Sequence, residues 1–151
     1  LLGATTIWER WDSMLADGTI NPGDMTSFNH YALGSVAYFL HAYIGGIRHL
    51  SPGWKKILFK PQPGGTVTSA KVSHISPYGT IKCEWEIVGD KLKVQISVPP
   101  NCTGKVELPG LEEEVGSGEK DYEVGWKKDE RFPPKPVQPG FCAPLPDNWI
   151  P

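Results

Sequence analysis

The sequence predicts an α+β fold divided by segment, with two helices first and a small antiparallel β-sandwich after them. Three observations carry this expectation. Apolar residues recur three and four apart between Phe28 and Tyr43, they alternate with polar ones between Ile81 and Val98, and composition changes sharply near residue 50. Residues 1–50 hold two basic residues (Arg10, Arg48), four acidic ones (Glu9, Asp12, Asp17, Asp24) and three of the four histidines. From Trp54 onward lysine, valine and proline dominate. The expected segments are a helical part over residues 1–50, a sandwich over 51–125 and a proline-rich tail over 126–151.

The first helix is expected from Thr5 or Thr6 to about Met14, before the turn-rich ADGTINPGD. Thr6 and Glu9 stand three apart, the spacing of a capping box in which side chain and backbone satisfy each other reciprocally. The second helix follows Ser27 as N-cap and runs through Tyr31, Ala32, Val36, Phe39, Leu40 and Tyr43 in one apolar stripe. Gly45-Gly46 ends it. Two helices with nothing to cover that stripe make a poor domain, and LLGATT carries neither an initiator methionine nor a signal-peptide pattern. The chain is therefore expected to be the later part of something longer.

The strands follow from period two. Ile81, Cys83, Trp85 and Ile87 face one way and Lys82, Glu84 and Glu86 the other; Gly89-Asp90 turns the chain, and Leu92, Val94, Ile96 and Val98 repeat the alternation. Further strands are expected at 55–60, 67–75, 103–108 and 120–125, between proline and glycine turns. Glu112-Glu113-Glu114 reads as a solvated loop.

Composition excludes some functions. A formal charge of −2 gives no reason to expect nucleic acid or an anionic membrane as partner. No apolar run approaches the roughly 18 residues of a membrane span. Cys83, Cys102 and Cys142 have no metal-ligand spacing, and phosphate-loop, nucleophile-elbow and dinucleotide motifs are absent. A Cys102–Cys142 bridge with Cys83 as a buried thiol is one arrangement. Asn101-Cys102-Thr103 is a glycosylation sequon, meaningful only in a secretory pathway, so localisation stays open.

Few residues remain that could carry chemistry. Glu9 stands between Trp8 and Trp11, and each has a bland reading: a helix cap with two core aromatics. The functional reading is a general base with indole walls against a sugar ring. At a helix start the positive dipole end favours a carboxylate, which suits a base better than an acid. His30, as N3 of the second helix, and Asn29 beside it would open on the same mouth; the bland reading of His30 is a structural polar residue. Asp12, Asp17 and Asp24 read as turn or solvated residues, and His41 and His49 as structural.

Several blocks agree in order and spacing with one family. GATTIWERWDSM, DGTINPGDMTSFNHYALGSVAYFL, GGIRHLSPGWKKILFKPQPGG, SHISPYGTIKCEWEI and KLKVQISVPPNCTGKVELPG resemble the C-terminal region of α-L-rhamnosidases of glycoside hydrolase family 78, over about residues 3–110. The resemblance implies that residues 1–50 are the last helices of an (α/α)6 catalytic barrel and that a β-sandwich follows. It implies an inverting hydrolase that needs no metal or organic cofactor and acts on L-rhamnose-containing glycosides. In this family the glutamate of the Trp-Glu-x-Trp block is the proposed general base, here Glu9, and the histidine of the Ser-x-Asn-His-Tyr block contacts rhamnose, here His30. Trp8, Trp11 and Asn29 would line the pocket. The family's general acid lies upstream and no segment here matches it, so the missing upstream catalytic portion is an expected partner and the chain alone is expected to be inactive. The rival from another class is a non-catalytic β-sandwich module that binds carbohydrate or packs on another domain. Glu9 and His30 opening on one shared surface favour the enzyme.

Overall fold

The computed structural model describes residues 3–128 of the 151. Eight strands form two four-stranded sheets: β1 (Ile47–His49), β2 (Lys56–Phe59), β6 (Thr103–Leu108) and β7 (Leu111–Val115) in one, and β3 (Ser69–Ser76), β4 (Gly79–Val88), β5 (Lys91–Val98) and β8 (Gly118–Gly125) in the other. The β4–β5 hairpin follows its alternation. Ile81, Cys83 and Trp85 are buried with Leu92, Val94, Ile96 and Val98, and Val88 pairs with Lys91 across the two-residue Gly89-Asp90 turn. Ile57, Phe59 and Val106 meet them from the facing sheet. Each such side chain contributes on the order of 1.5–3 kcal/mol by leaving water. Burial pushes the Cys83 thiol up to about 12, so it is an inert core group.

The sheets depart from expectation in three places. β2 pairs with β6 in parallel, so the sandwich is not wholly antiparallel. Glu112-Glu113-Glu114 lies in β7 rather than in a loop. Charges suit an edge strand, and these find partners: Glu112 takes Lys105 Nζ at 2.7 Å and Glu113 accepts from the Tyr122 hydroxyl at 2.6 Å. That last bond ties β7 to β8 in the opposite sheet. β1 was also unforeseen: it begins within the stretch expected to be helical.

The helical part is smaller than expected. Residues 5–14 form turns, not a helix, and no capping box exists there. Thr6 Oγ1 instead donates to the Phe28 carbonyl. Thr5, Thr6, Ile7 and the flanking indoles are weak helix formers, so their backbone groups bond across to residues 27–30 rather than nucleate a short helix. The second helix starts later, with His30 rather than Ser27 as N-cap. It comprises α1 (Tyr31–Gly34), α2 (Val36–Phe39) and a wide π turn (Leu40–Ile44). Its apolar stripe faces solvent, with Tyr31 88% and Tyr38 63% exposed. The (α/α)6 barrel is not seen among the described residues, and none of their helices is long and apolar enough to cross a membrane. The tail beyond Lys128 and a Cys102–Cys142 bridge lie outside the described residues; Cys102 is buried.

One junction joins the two parts. Helix ends leave carbonyls without intrahelical donors, and that of Ile44 accepts the Trp85 indole N–H at 2.7 Å. Gly46 has φ +87° and its carbonyl accepts the Lys60 N–H at 2.9 Å; a Cβ there would lie 2.4 Å from Pro61 N. A Cβ on Gly45 would lie 2.7 Å from Val72 Cγ1. His41 reaches Ser73 O at 3.2 Å, and Trp54 lies against His74 and His49 close by.

Gly46→Ala is expected to lower stability by at least roughly 1–3 kcal/mol from backbone strain, read as a reduced urea midpoint. A second expectation concerns pH. Hydrogen bonds from Lys105 and Lys60 hold the Glu107 carboxyl down at about 2, against an ordinary 4.5. Its folded value is depressed, so its stabilisation is full above about 4.5 and is lost as pH falls toward 2. Glu107→Gln should flatten the acid limb of stability in that window, measured by denaturant melts across pH. The exposed helical stripe predicts self-association of the 151-residue chain; a clean monomer in sedimentation would count against it.

Candidate active site

Residues 6–9 run beside residues 27–30, which brings together groups some twenty residues apart in sequence. Glu9 N–H donates to Ser27 O at 2.8 Å and His30 N–H to Ile7 O at 2.9 Å. The Trp8 indole packs edge-on against Phe28, ring centres 5.1 Å apart. The Glu9 carboxylate is thereby fixed at both oxygens. Oε2 accepts the Ser27 N–H at 3.1 Å, and Oε1 lies 3.4 Å from His30 Nε2. The two side chains are 14% and 28% exposed.

His30 is oriented by its own helix. As N-cap its Nδ1 accepts the Leu33 N–H at 3.3 Å. An accepting nitrogen carries no proton, so the neutral ring bears its hydrogen on Nε2, the nitrogen that faces Glu9. Sequence spacing put His30 three residues deeper, at N3; the late helix start moved it to the cap.

Glu9 also lines a cleft of about 860 Å³ together with Trp8, Arg10, Trp11 and Leu33. Trp11 stands fully exposed at this cleft. His30 and Asn29 are not on the cleft lining. Asn29 is exposed, and its backbone N–H bonds Ser27 Oγ at 3.3 Å. The structure thus joins Trp8, Glu9 and Trp11 around one cavity, places His30 against Glu9, and leaves Asn29 aside. Helix-dipole support for Glu9 is absent because the helix is absent; the Ser27 N–H donates to it instead, with His30 Nε2 3.4 Å from the other oxygen. A carboxylate held this way, with lone pairs left toward a cleft, can accept a proton from water.

Sequence reasoning passed over the loop behind Glu9. Arg10 donates to Asp12 through Nε at 2.9 Å and Nη2 at 2.8 Å, and to the Asp24 carbonyl through Nη1 at 3.2 Å. Asn21 Nδ2 adds a bond to Asp12 Oδ2 at 3.0 Å. The Arg10 guanidinium holds the Asp12 carboxyl below the usual carboxylate range. Asp17 is the turn residue its spacing predicted, accepting from Thr19 N–H at 2.9 Å. Ser13, wholly buried, exchanges bonds with the Arg10 backbone. The Arg-x-Asp spacing was the available signal. Among the described residues no three His, Cys, Asp or Glu side chains gather as a metal site.

Known proteins match both parts of the chain. Residues 2–44 match the family described as the bacterial α-L-rhamnosidase 6-hairpin glycosidase domain, and residues 46–123 match the bacterial α-L-rhamnosidase C-terminal domain. An α-L-rhamnosidase of Streptomyces avermitilis is 42% identical over 107 residues, covering 71% of this chain and 10% of the relative. One from Formosa agariphila is also 42% identical over 107 residues, covering 71% and 12%. The crystal structure of native α-L-rhamnosidase from Aspergillus terreus superposes with a TM-score of 0.71 at 46% identity, covering 80% of this chain and 14% of that one. The Streptomyces avermitilis enzyme complexed with L-rhamnose gives 0.67 at 35% identity, covering 81% and 14%. The chain spans about a tenth of the length of the curated relatives it matches. With the sandwich and the segment before it each matched in order, the chain belongs to the bacterial α-L-rhamnosidase family.

Proposed function

We propose that this chain is part of an inverting glycoside hydrolase that releases terminal α-L-rhamnose from rhamnosides, and that Glu9 is its general base. The observation that carries this reading is the Glu9 carboxylate itself, fixed by Ser27 and His30 while lining a cleft beside two tryptophans. Family membership supplies the substrate class. A non-catalytic module would have no use for a held carboxylate at an open cavity.

In the reaction, Glu9 removes a proton from water as the water oxygen attacks the anomeric carbon from the face opposite the leaving group. The glycosidic C–O bond breaks and the aglycone oxygen takes a proton from a general acid. Inverting enzymes hold these two carboxyls roughly 6.5–9.5 Å apart, which leaves room for the water. Glu9 is the only carboxylate among the described residues lining the cleft. The acid therefore belongs to a further portion of the catalytic domain, the remainder of an (α/α)6 barrel over the exposed stripe of Tyr31, Tyr38 and Phe39. The domain organisation that goes with this reading is barrel helices over residues 1–50 and a sandwich over 51–125. By itself the chain would not hydrolyse.

Trp11, fully exposed, offers its face to the apolar side of a sugar ring, with Trp8 on the same cleft; Asn29, off the cleft lining, would meet the substrate only outside that cavity. His30 has one ring N–H to give. When a sugar hydroxyl takes that hydrogen, Glu9 Oε1 is released toward the attacking water, so binding and activation of the base are coupled.

The test is hydrolysis of a chromogenic α-L-rhamnoside by the longest polypeptide encoding this segment. Glu9→Gln should lower kcat by roughly 10²–10⁴-fold, the range for lost acid–base assistance, with KM nearly kept. Full activity in the variant would reduce Glu9 to a structural residue, and an inactive parent protein would favour the module.

A further inference from the structure

Glu9 is held by Ser27 and His30, and those residues reach it only because the seventeen-residue excursion between Glu9 and Ser27 returns to the same place. The groups that close this excursion sit one to three residues past Glu9. Arg10 spans it, with both its Nε and Nη2 on Asp12 and Nη1 on the carbonyl of Asp24, three residues before Ser27. Asp12 in turn holds Asn21. A Cβ on Gly23 would come 3.1 Å from Asn21 Oδ1 and 3.3 Å from Arg10 Nη1, so the loop backbone passes close to both side chains. Between Asp24 and Ser27 the backbone takes a left-handed step at Met25, φ +60°, with its side chain exposed. A large residue held there without burial is imposed by its surroundings rather than by its own preference.

From this geometry we infer that Arg10, acting with Asp12, is a positioning residue for the Glu9 carboxylate: a clamp that fixes Ser27 and His30 opposite the base by fixing the loop that delivers them. The inference rests on the reading of Glu9 as the base. Arg10 and Asp12 side chains are 39% and 53% exposed, and exposed ion pairs contribute little to stability. What the clamp supplies is placement. A shift of about 1 Å at a catalytic group can lower a rate by up to roughly 10²-fold. Lysine cannot replace the guanidinium, since one ammonium cannot take both Asp12 oxygens in a planar fork and reach the Asp24 carbonyl.

The experiment uses the longest polypeptide encoding this segment, a chromogenic α-L-rhamnoside, and the variants Arg10→Gln, Arg10→Lys, Asp12→Asn and Glu9→Gln, with both Arg10→Gln and Asp12→Asn also made in the Glu9→Gln background. Urea midpoints are measured beside the kinetics. The clamp predicts that Arg10→Gln and Asp12→Asn each lower kcat about 10–10²-fold, that KM and the urea midpoint barely move, and that Arg10→Lys does not restore the rate. It further predicts that neither change lowers the rate again once Glu9 is glutamine, because a residue acting through Glu9 has nothing left to position. Full activity in Arg10→Gln and Asp12→Asn, with Glu9→Gln impaired, overturns the clamp and leaves the base in place. Losses that multiply with that of Glu9→Gln, or that track a lowered urea midpoint, also overturn it, since Arg10 would then act elsewhere or on the fold. Full activity in Glu9→Gln overturns base and clamp together.

Discussion

The hydrogen bond from the Trp85 indole to the Ile44 carbonyl marks the constraint on which the rest of the molecule depends. Among the described residues, the hydrogen bonds between the first forty-six residues and the sandwich gather at residues 41–46: His41 to Ser73, Gln62 to Tyr43, Trp85 to Ile44 and Lys60 to Gly46. The sandwich core is complete without them. The helix of residues 31–44 is not, since Ala42 is its one buried residue. Its orientation is therefore inherited from the junction, where two glycines let Val72 and Pro61 approach the backbone. Through the helix that begins at His30, that orientation reaches the Glu9 contact.

The site has the opposite character from this junction. Glu9, beside the indoles of its cleft, is placed by a web of hydrogen bonds in turns, each weak alone. Backbone pairing of residues 7–9 with 27–30 sets the distance, His30 completes it by capping its own helix, and Arg10 closes the loop behind. A side chain can here serve secondary structure and chemistry together. His30 Nδ1 answers to Leu33, and that settles which nitrogen meets the carboxylate.

How much of this was legible in the sequence depends on the range of each interaction. The β4–β5 hairpin was, because alternation and a Gly-Asp turn are local facts. The parallel pairing of β2 with β6 was not, because period two says which face is buried and nothing about the neighbour's direction. Glu112-Glu113-Glu114 read as a loop since like charges in a row rarely pack, yet Lys105 on the adjacent β6 and Tyr122 on β8 of the opposite sheet give two of them partners. The first helix failed because its spacing fitted a local pattern while its backbone found better partners about twenty residues away. Glu9 and His30 stood out by residue type and took their roles from the family resemblance; no spacing rule would have put them within 3.4 Å.

The parallel β2–β6 contact has a consequence for how the chain assembles. Forty-odd residues separate Phe59 from Thr103, and β3, β4 and β5 all lie in that interval. Hairpins close short loops and lose little chain entropy, whereas β2 and β6 must close a long one. That loss is smaller once the intervening strands are already compact. The sheet that begins at the helical junction is thus completed through the other sheet, and the order of assembly runs from the middle of the sequence outward.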